Sequence, residues 1–598
     1  MSLRYGHEMP FGATLLEGDR GVRFALCAPG NDAVSLVYVV AGEERRVALE
    51  RRGMWFEATC ADAAAGTRYR FDIGGLVVPD PASRYQPDGV HGASLVVDPL
   101  AFDWPDDGWR GLHWNEHVFY ELHVGAFTPE GTYAAAQTKL GELAELGVTA
   151  IELMPVADVP GSRNWGYDGV LPFAPSHNYG TPGDLKRFVV ACHAHGLAVY
   201  LDVVYNHFGP EGNYLHAYAK PFYTDRFHTP WGAAIDVTDD DAPARAFFVE
   251  NARYWLHEFR FDGLRLDAVH EIYDRPARPF LRDLAKRVAE SIDRPVNLIL
   301  ENDANEAALL GAGYRAQWND DAHHAAHAAI TGQRDGYYAD YATAAPAMLA
   351  RTLTSGFAYQ GEPSTFRGGA VRGEPSLGLE LASFVTFLQN HDQVGNRPFG
   401  DRITALAPPE AVRAAVAILL LAPSTPLLFM GEEWAASTPF LFFCDFEPEL
   451  AVKVTQGRRN EFRSLAEFSD PIARERIPDP AAEQTFLASK LRWDERAQPP
   501  HGEWLEYYRH LLHLRRSQIS PRVAGLRGTA AGFETVGASG FRARWDLPAG
   551  EVLALDANLS ASPLDGFGGR AGRVLFSTHP ETFDRAHAPA WSVRWTLA

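Results

Sequence analysis

Cysteine is scarce in this chain. There are four in 598 residues, Cys27, Cys60, Cys192 and Cys444, and no two are close enough for a C-x-x-C motif. Such a set is not a disulfide framework. It suits a reducing compartment, so a cytoplasmic protein is expected. Long apolar runs are missing too. The longest, "AAVAILLLAP" from Ala414 to Pro423, is half of the ~20 residues a membrane span needs and reads as a buried helix. The opening "MSLRYGHEMPFGATLLEGDR" has no apolar stretch of signal-peptide length. Basic charge is in deficit, with 55 Lys and Arg against 76 Asp and Glu and a net charge of −21. An acidic surface repels phosphate backbones, which argues against nucleic acid as a partner.

Apolar residues, by contrast, make up 46% of the chain, enough for sizeable cores, and the length calls for more than one domain. Residues 1–105 carry short segments such as "VRFALCAP", "AVSLVYVV" and "TRYRFDIGG". In the last, Tyr69, Phe71 and Ile73 alternate with Arg68, Arg70 and Asp72, the period of a half-buried strand, and an N-terminal β-sandwich is expected. From Val118 the rhythm becomes strand, loop, helix. Thr181, Pro182 and Asp184 form an N-cap, a first helical residue and a capping-box partner, and Gly147 stops the preceding helix. Eight strands are predicted, at 118–124, 149–154, 197–204, 263–268, 296–301, 314–318, 384–389 and 425–430. Eight βα units make an α/β protein of the (β/α)8 TIM barrel type, here assigned to residues 106–520, with a small C-terminal β domain at 521–598.

The polar residues gather where such a barrel keeps its chemistry. The third strand runs into "DVVYNH", the fourth into "GLRLDAVH", the fifth into "LILEND" and the seventh into "FLQNHDQ". A turn explains any one cluster, since Asn and Asp favour turns. It does not explain four at the carboxyl ends of parallel strands, which share one mouth. Asp267, Glu301 and Asp392 are the candidate catalytic acids. Arg265 shares a strand face with Asp267 and is expected to hold it ionised, as a nucleophile requires. Glu301 follows "LIL", and an apolar wall is expected to keep it protonated as a general acid. One charged and one protonated carboxyl is the device of glycoside hydrolysis. Asp202 reads as a structural acid. His323 and His327 have the i, i+4 spacing of a zinc helix, but the Glu of H-E-x-x-H is absent. No metal and no cofactor are expected.

In order and spacing, the four segments resemble the signature regions of the α-amylase superfamily of glycoside hydrolases. The resemblance implies Asp267 as nucleophile, Glu301 as acid/base and Asp392 as the carboxylate that stabilises the transition state. It implies Arg265, His207 and His391 around the cleaved sugar and Tyr167, in "WGYDGV", as the platform beneath it. His270 is a further candidate contact. The segments "YNHFGPEGNYL", "QWNDDAHHAAHAAITGQRDGYY" and "EPELAVKVTQGRRNEF" resemble those of the superfamily members that release trehalose. This implies that the substrate is maltooligosyltrehalose or a related α-glucan, cut by retaining chemistry at the α-1,4 bond beside the terminal trehalose. Asp321 and Trp434, in loops after the sixth and eighth strands, are expected on the leaving-group side. A glucan branching or debranching enzyme is the alternative, and a non-catalytic glycan-binding protein a second.

Overall fold

The structure, a computed structural model, describes residues 3–598 apart from 19, 106–107, 230–231, 276–278, 569–571 and 584–585. Pro230 and Trp231, in the long loop after the third barrel strand, lie outside the described residues, as does part of the Gly-rich turn near 570. Two antiparallel sheets open the chain. One is ordered Gly12–Leu15, Val22–Cys27, Trp55–Cys60, Glu50–Arg52, and the other Glu43–Ala48, Ser35–Val40, Arg68–Ile73, Leu76–Val78. Their inner faces meet where Phe24 lies 4.9 Å from Tyr69. Arg68, Arg70 and Asp72 turn away from that core while Tyr69, Phe71 and Ile73 enter it, the alternation read from the sequence. The unit is tied to the barrel by buried Arg84, which bonds Glu258 on a barrel helix.

The eight expected strands all form, as β1 (Phe119–Leu122), β2 (Ala150–Leu153), β3 (Ala198–Val203), β4 (Gly263–Leu266), β5 (Asn297–Leu300), β6 (Ala316–Trp318), β7 (Phe384–Phe387) and β8 (Thr425–Phe429). They close in sequence order into a parallel barrel, β8 pairing with β1. Nearly every strand residue is buried, as expected of a sheet covered on both faces by helices. Thr181 caps helix α1 (Pro182–Ala194) reciprocally with Asp184. The longest apolar run lies in the buried helix Pro409–Leu421. Among the described residues, no helix is long and apolar enough to cross a membrane. All four cysteines are buried and free.

A five-stranded antiparallel sheet, ordered Ala531–Val536, Gly540–Asp546, Val552–Asn558, Ser592–Leu597, Arg573–Ser577, ends the described chain. It packs on the barrel helices through Trp545 and Trp595, which stack 5.4 Å apart.

Candidate active site

The site is built around Arg265. Its side chain is fully buried, with the guanidinium 4.0 Å from the centre of the Trp318 ring. One terminal nitrogen donates to both Asp202 oxygens, at 2.8 and 2.9 Å, and to Asp267 at 2.8 Å, while the other donates to Glu301 at 3.0 Å. Burial pushes the Asp202 carboxyl up, against the pull of Arg265, to about 7. Asp202 also accepts from the Tyr167 hydroxyl at 2.6 Å, so its role is to hold Arg265 and Tyr167 in place. Asn206, just after β3, donates to both the carbonyl and the carboxylate of Asp267.

Beyond Asp267 the chain turns at Ala268, whose φ of 39° is in the left-handed region that a residue with a Cβ seldom enters. That turn aims the Ala268 N–H at Glu301, 2.8 Å away. Backbone strain of this kind is kept at functional sites. Glu301 is therefore held by a guanidinium and a backbone amide. The expected apolar wall is not what surrounds it: "LIL" faces the barrel packing, and the carboxyl emerges beside Arg265.

The fourth cluster is a short helix, His391–Gly395, capped by Asn390 accepting from the Gln393 N–H at 2.9 Å. Asp392 in its first turn accepts from Asn396 at 3.1 Å and lies 3.4 Å from His391 Nε2. On its other side His391 presents Nδ1 and its backbone N–H to Glu121 of β1. Burial alone would lower the ring's pKa, but Asp392 and Glu121 together push it up to about 9. The ring is stacked on Tyr167 at 4.9 Å. His207 faces the other way: burial pulls it down to about 4, and Nε2 donates to the Tyr167 carbonyl at 3.0 Å. His270 accepts the Asp303 N–H through Nδ1 at 3.3 Å.

Two cavities open at this mouth. One, of about 440 Å³, is lined by Tyr167, His207, Asp267, His391, Phe442 and Arg458 among others. The second, of about 280 Å³, is lined by Asp320, His324, Tyr337, Asp340, Phe366, Arg367 and Arg372 among others. Both share His270, Glu301, Asp392 and Asn396, so they are two halves of one cleft joined over the acids. A larger open groove on the C-terminal sheet, about 800 Å³, holds charges that are already paired, Arg542 with Glu534 and Arg544 with Asp546, and carries no convergent chemistry.

Eight of the ten expected site residues thus gather at one place: Asp267, Glu301, Asp392, Arg265, His207, His391, Tyr167 and His270. Two do not. Asp321 is completely buried, with Arg372, Tyr341, Asn305 and the Ala358 and Tyr359 amides around it. Trp434 is completely buried too, 5.1 Å from Trp493 and stacked under Arg496. Neither lines the cleft. The reason for the first is helical phase. On helix α2 (Asp320–Thr331), Asp320 and His324 lie on the cleft face, and Asp321, one residue on, points into the protein. An i, i+4 reading of the same segment would have chosen them. Phe366, Arg367 and Arg372 belong to a hairpin between β6 and β7 whose sequence carries no signature. His323 and His327 are engaged by Leu388, Tyr338 and Gln333. Among the described residues, His91, Glu211 and Glu447 bring ligand atoms within 4.8 Å of one another, but they do not line the cleft, and His91 and Glu447 are exposed.

Comparisons with known proteins agree with this geometry. Residues 107–232 match the family described as "Alpha amylase, catalytic domain", and residues 528–595 a "Domain of unknown function (DUF3459)". A solved Salmonella typhimurium protein, provisionally named an alpha amylase, superposes with a TM-score of 0.92 at 42% identity over 98% of this chain and 99% of its own. A 1,4-alpha-glucan branching enzyme of Burkholderia thailandensis is 33% identical, over 50% of this chain and 40% of its own. The malto-oligosyltrehalose trehalohydrolase of Deinococcus radiodurans is 46% identical over 509 residues, 84% of this chain and 82% of its own. At that identity and coverage, the chain belongs to the malto-oligosyltrehalose trehalohydrolase family of the α-amylase superfamily.

Proposed function

We propose that this protein is a retaining glycoside hydrolase that cuts the α-1,4 bond next to the terminal trehalose of maltooligosyltrehalose and releases trehalose. The observation that carries the reading is the junction of the two cavities. Asp267 lines only the larger half, while Glu301 lines both. The attacked sugar therefore belongs in the larger half, and the leaving group in the smaller one, across Glu301.

In this scheme Asp267 attacks the anomeric carbon and Glu301 gives its proton to the departing glycosidic oxygen. Glu301 then takes a proton from water, the water oxygen bonds to the anomeric carbon, and Asp267 departs. One guanidinium grips both carboxyls, which fits the ~5–5.5 Å spacing of retaining enzymes better than the ~6.5–9.5 Å of inverting ones. Asp392, beside the imidazolium of His391, faces the developing positive charge. Aromatic and charged groups in the smaller half, Tyr337, Phe366, Arg367 and Arg372, supply the stacking and hydroxyl readout a disaccharide leaving group needs. A branching reaction has less support, since the branching relative spans half of this chain and the trehalohydrolase relative most of it.

The test is to supply maltooligosyltrehalose and identify the released sugar. Free trehalose, with an α anomer at the new reducing end by proton NMR, is the expected result. New α-1,6 branches, or a β anomer formed first, would overturn the reading.

A further inference from the structure

Beneath the catalytic floor lies an acid that the proposed mechanism does not use. Glu152 of β2 sits directly opposite Glu121 of β1 in the parallel register. Both side chains are 1% exposed. Glu121 is engaged by the backbone N–H and Nδ1 of His391. Neither oxygen of Glu152 has a hydrogen-bond partner among the described residues.

Two buried carboxyls side by side cannot both be ionised at tolerable cost. The one with a cationic partner keeps its charge, and the one without a partner keeps its proton. We propose that Glu152 is the proton-carrying member of this pair, a positioning residue whose neutrality leaves the Glu121 charge to hold His391 beside Asp392. It touches neither substrate nor reacting atoms.

The groups facing Glu152 are Glu121 on β1, Tyr200 and Asp202 on β3, Arg265 on β4 and His391 after β7. Burial, then the Glu121 charge, pushes the Glu152 carboxyl well above the usual carboxylate range, with Arg265 pulling the other way. Arg265 is already committed to three other carboxylates. A negative Glu152 would draw on that charge and compete with Asp392 for His391. The proton on Glu152 prevents both.

The inference rests on the site assigned above, so its test has one arm that does not depend on activity. Infrared difference spectroscopy on the full chain should show a protonated carboxyl band that disappears in Glu152→Gln. Absence of that band in the parent overturns the proposal even if trehalose release is as expected. The second arm compares two isosteric variants in pH–rate profiles. Glu152→Gln should match the parent within ~2-fold in kcat and KM at every pH, because a neutral group replaces a neutral group. Glu121→Gln removes the anion, so its alkaline limb should move to lower pH, with kcat falling more than KM changes. If Glu152→Gln shifts the limb as far as Glu121→Gln, the proton is on the other acid. Should Glu121→Gln fail to fold, the spectrum and the Glu152→Gln profile still decide.

Discussion

At Asp267 the buried side chain accepts from Arg265 and Asn206, and an Asn of the same shape keeps an oxygen for those donors, so that replacement should remove chemistry and leave the fold. Asp267→Asn is expected to lose at least ~10⁴-fold in kcat with unchanged thermal melting, because a nucleophile acting with its acid has no substitute. Near-normal turnover would reassign the nucleophile. His391 gives a pH prediction. Its folded value of about 9 lies above the ordinary 6.5, so its charge stabilises the fold fully below about 6.5, and that contribution is lost as pH rises through about 9. The stability gap between the parent and His391→Gln, measured by urea unfolding, should be widest on the acid side of this window and close above it. A gap that widens with pH would mean the ring is neutral in the fold. Asp321 now carries an expectation different from substrate contact. Asp321→Ala leaves the buried Arg372 guanidinium with only Asp303 and Tyr341, takes the acceptor from Asn305 and the Ala358 and Tyr359 amides, and should cost about 3–5 kcal/mol. A variant as stable as the parent would mean that Asp303 and Tyr341 hold Arg372 by themselves.

At the scale of elements, the hairpin of Glu362–Pro363 and Val371–Arg372 is the wall of the smaller half-cleft. Arg372 anchors it by bonding Asp321 on α2 and Asp303, two residues past Glu301. Near its tip Phe366 is 55% exposed, with its ring 6.2 Å from Tyr337. A large exposed aromatic over a cleft is a stacking surface awaiting a partner. Phe366→Ala should therefore leave stability alone and lower kcat/KM on trehalose-ended substrates by ~3–10-fold, the worth of one stacking contact. Plain maltooligosaccharides are the control: an equal loss on both substrates would make the hairpin a general glucan surface.

Across the whole molecule, the three β and α/β units are packed as one body. Trp545 donates to the Leu353 carbonyl at 3.2 Å and Trp595 to the Ala417 carbonyl at 3.1 Å, and both indoles are fully buried against barrel helices. Trp595→Ala should cost about 3–5 kcal/mol, read as a lower urea midpoint for the barrel itself. A chain truncated after residue 520 should fail to yield a folded barrel, because the apolar faces of helices Ala345–Ser355 and Pro409–Leu421 would lie open to water. Recovery of an active truncated barrel would show that the C-terminal sheet is an appendage.

The barrel and the meeting of Asp267, Glu301 and Asp392 at its mouth were legible from residue order because both depend on short-range pattern. A run such as "LAVYLDVV" is a buried strand wherever it lies, and parallel strands deliver their carboxyl ends to one mouth without further instruction. Capping at Thr181 and the stop at Gly147 are equally local. Pairings between distant residues were not legible. That Arg265 grips Glu301 as well as Asp267, that Glu121 holds His391 across 270 positions, and that Arg372 closes the smaller half of the cleft all depend on which strands become neighbours. The choice of Asp320 over Asp321 depended on the rotation of α2 about its axis, which the packing of His323 and His327 against the protein sets. Sequence thus determined which side chains reach the cleft from the strands. Tertiary structure decided which charge meets which, because a Coulomb or hydrogen-bond partner is selected by distance in space, and folding alone supplies that distance.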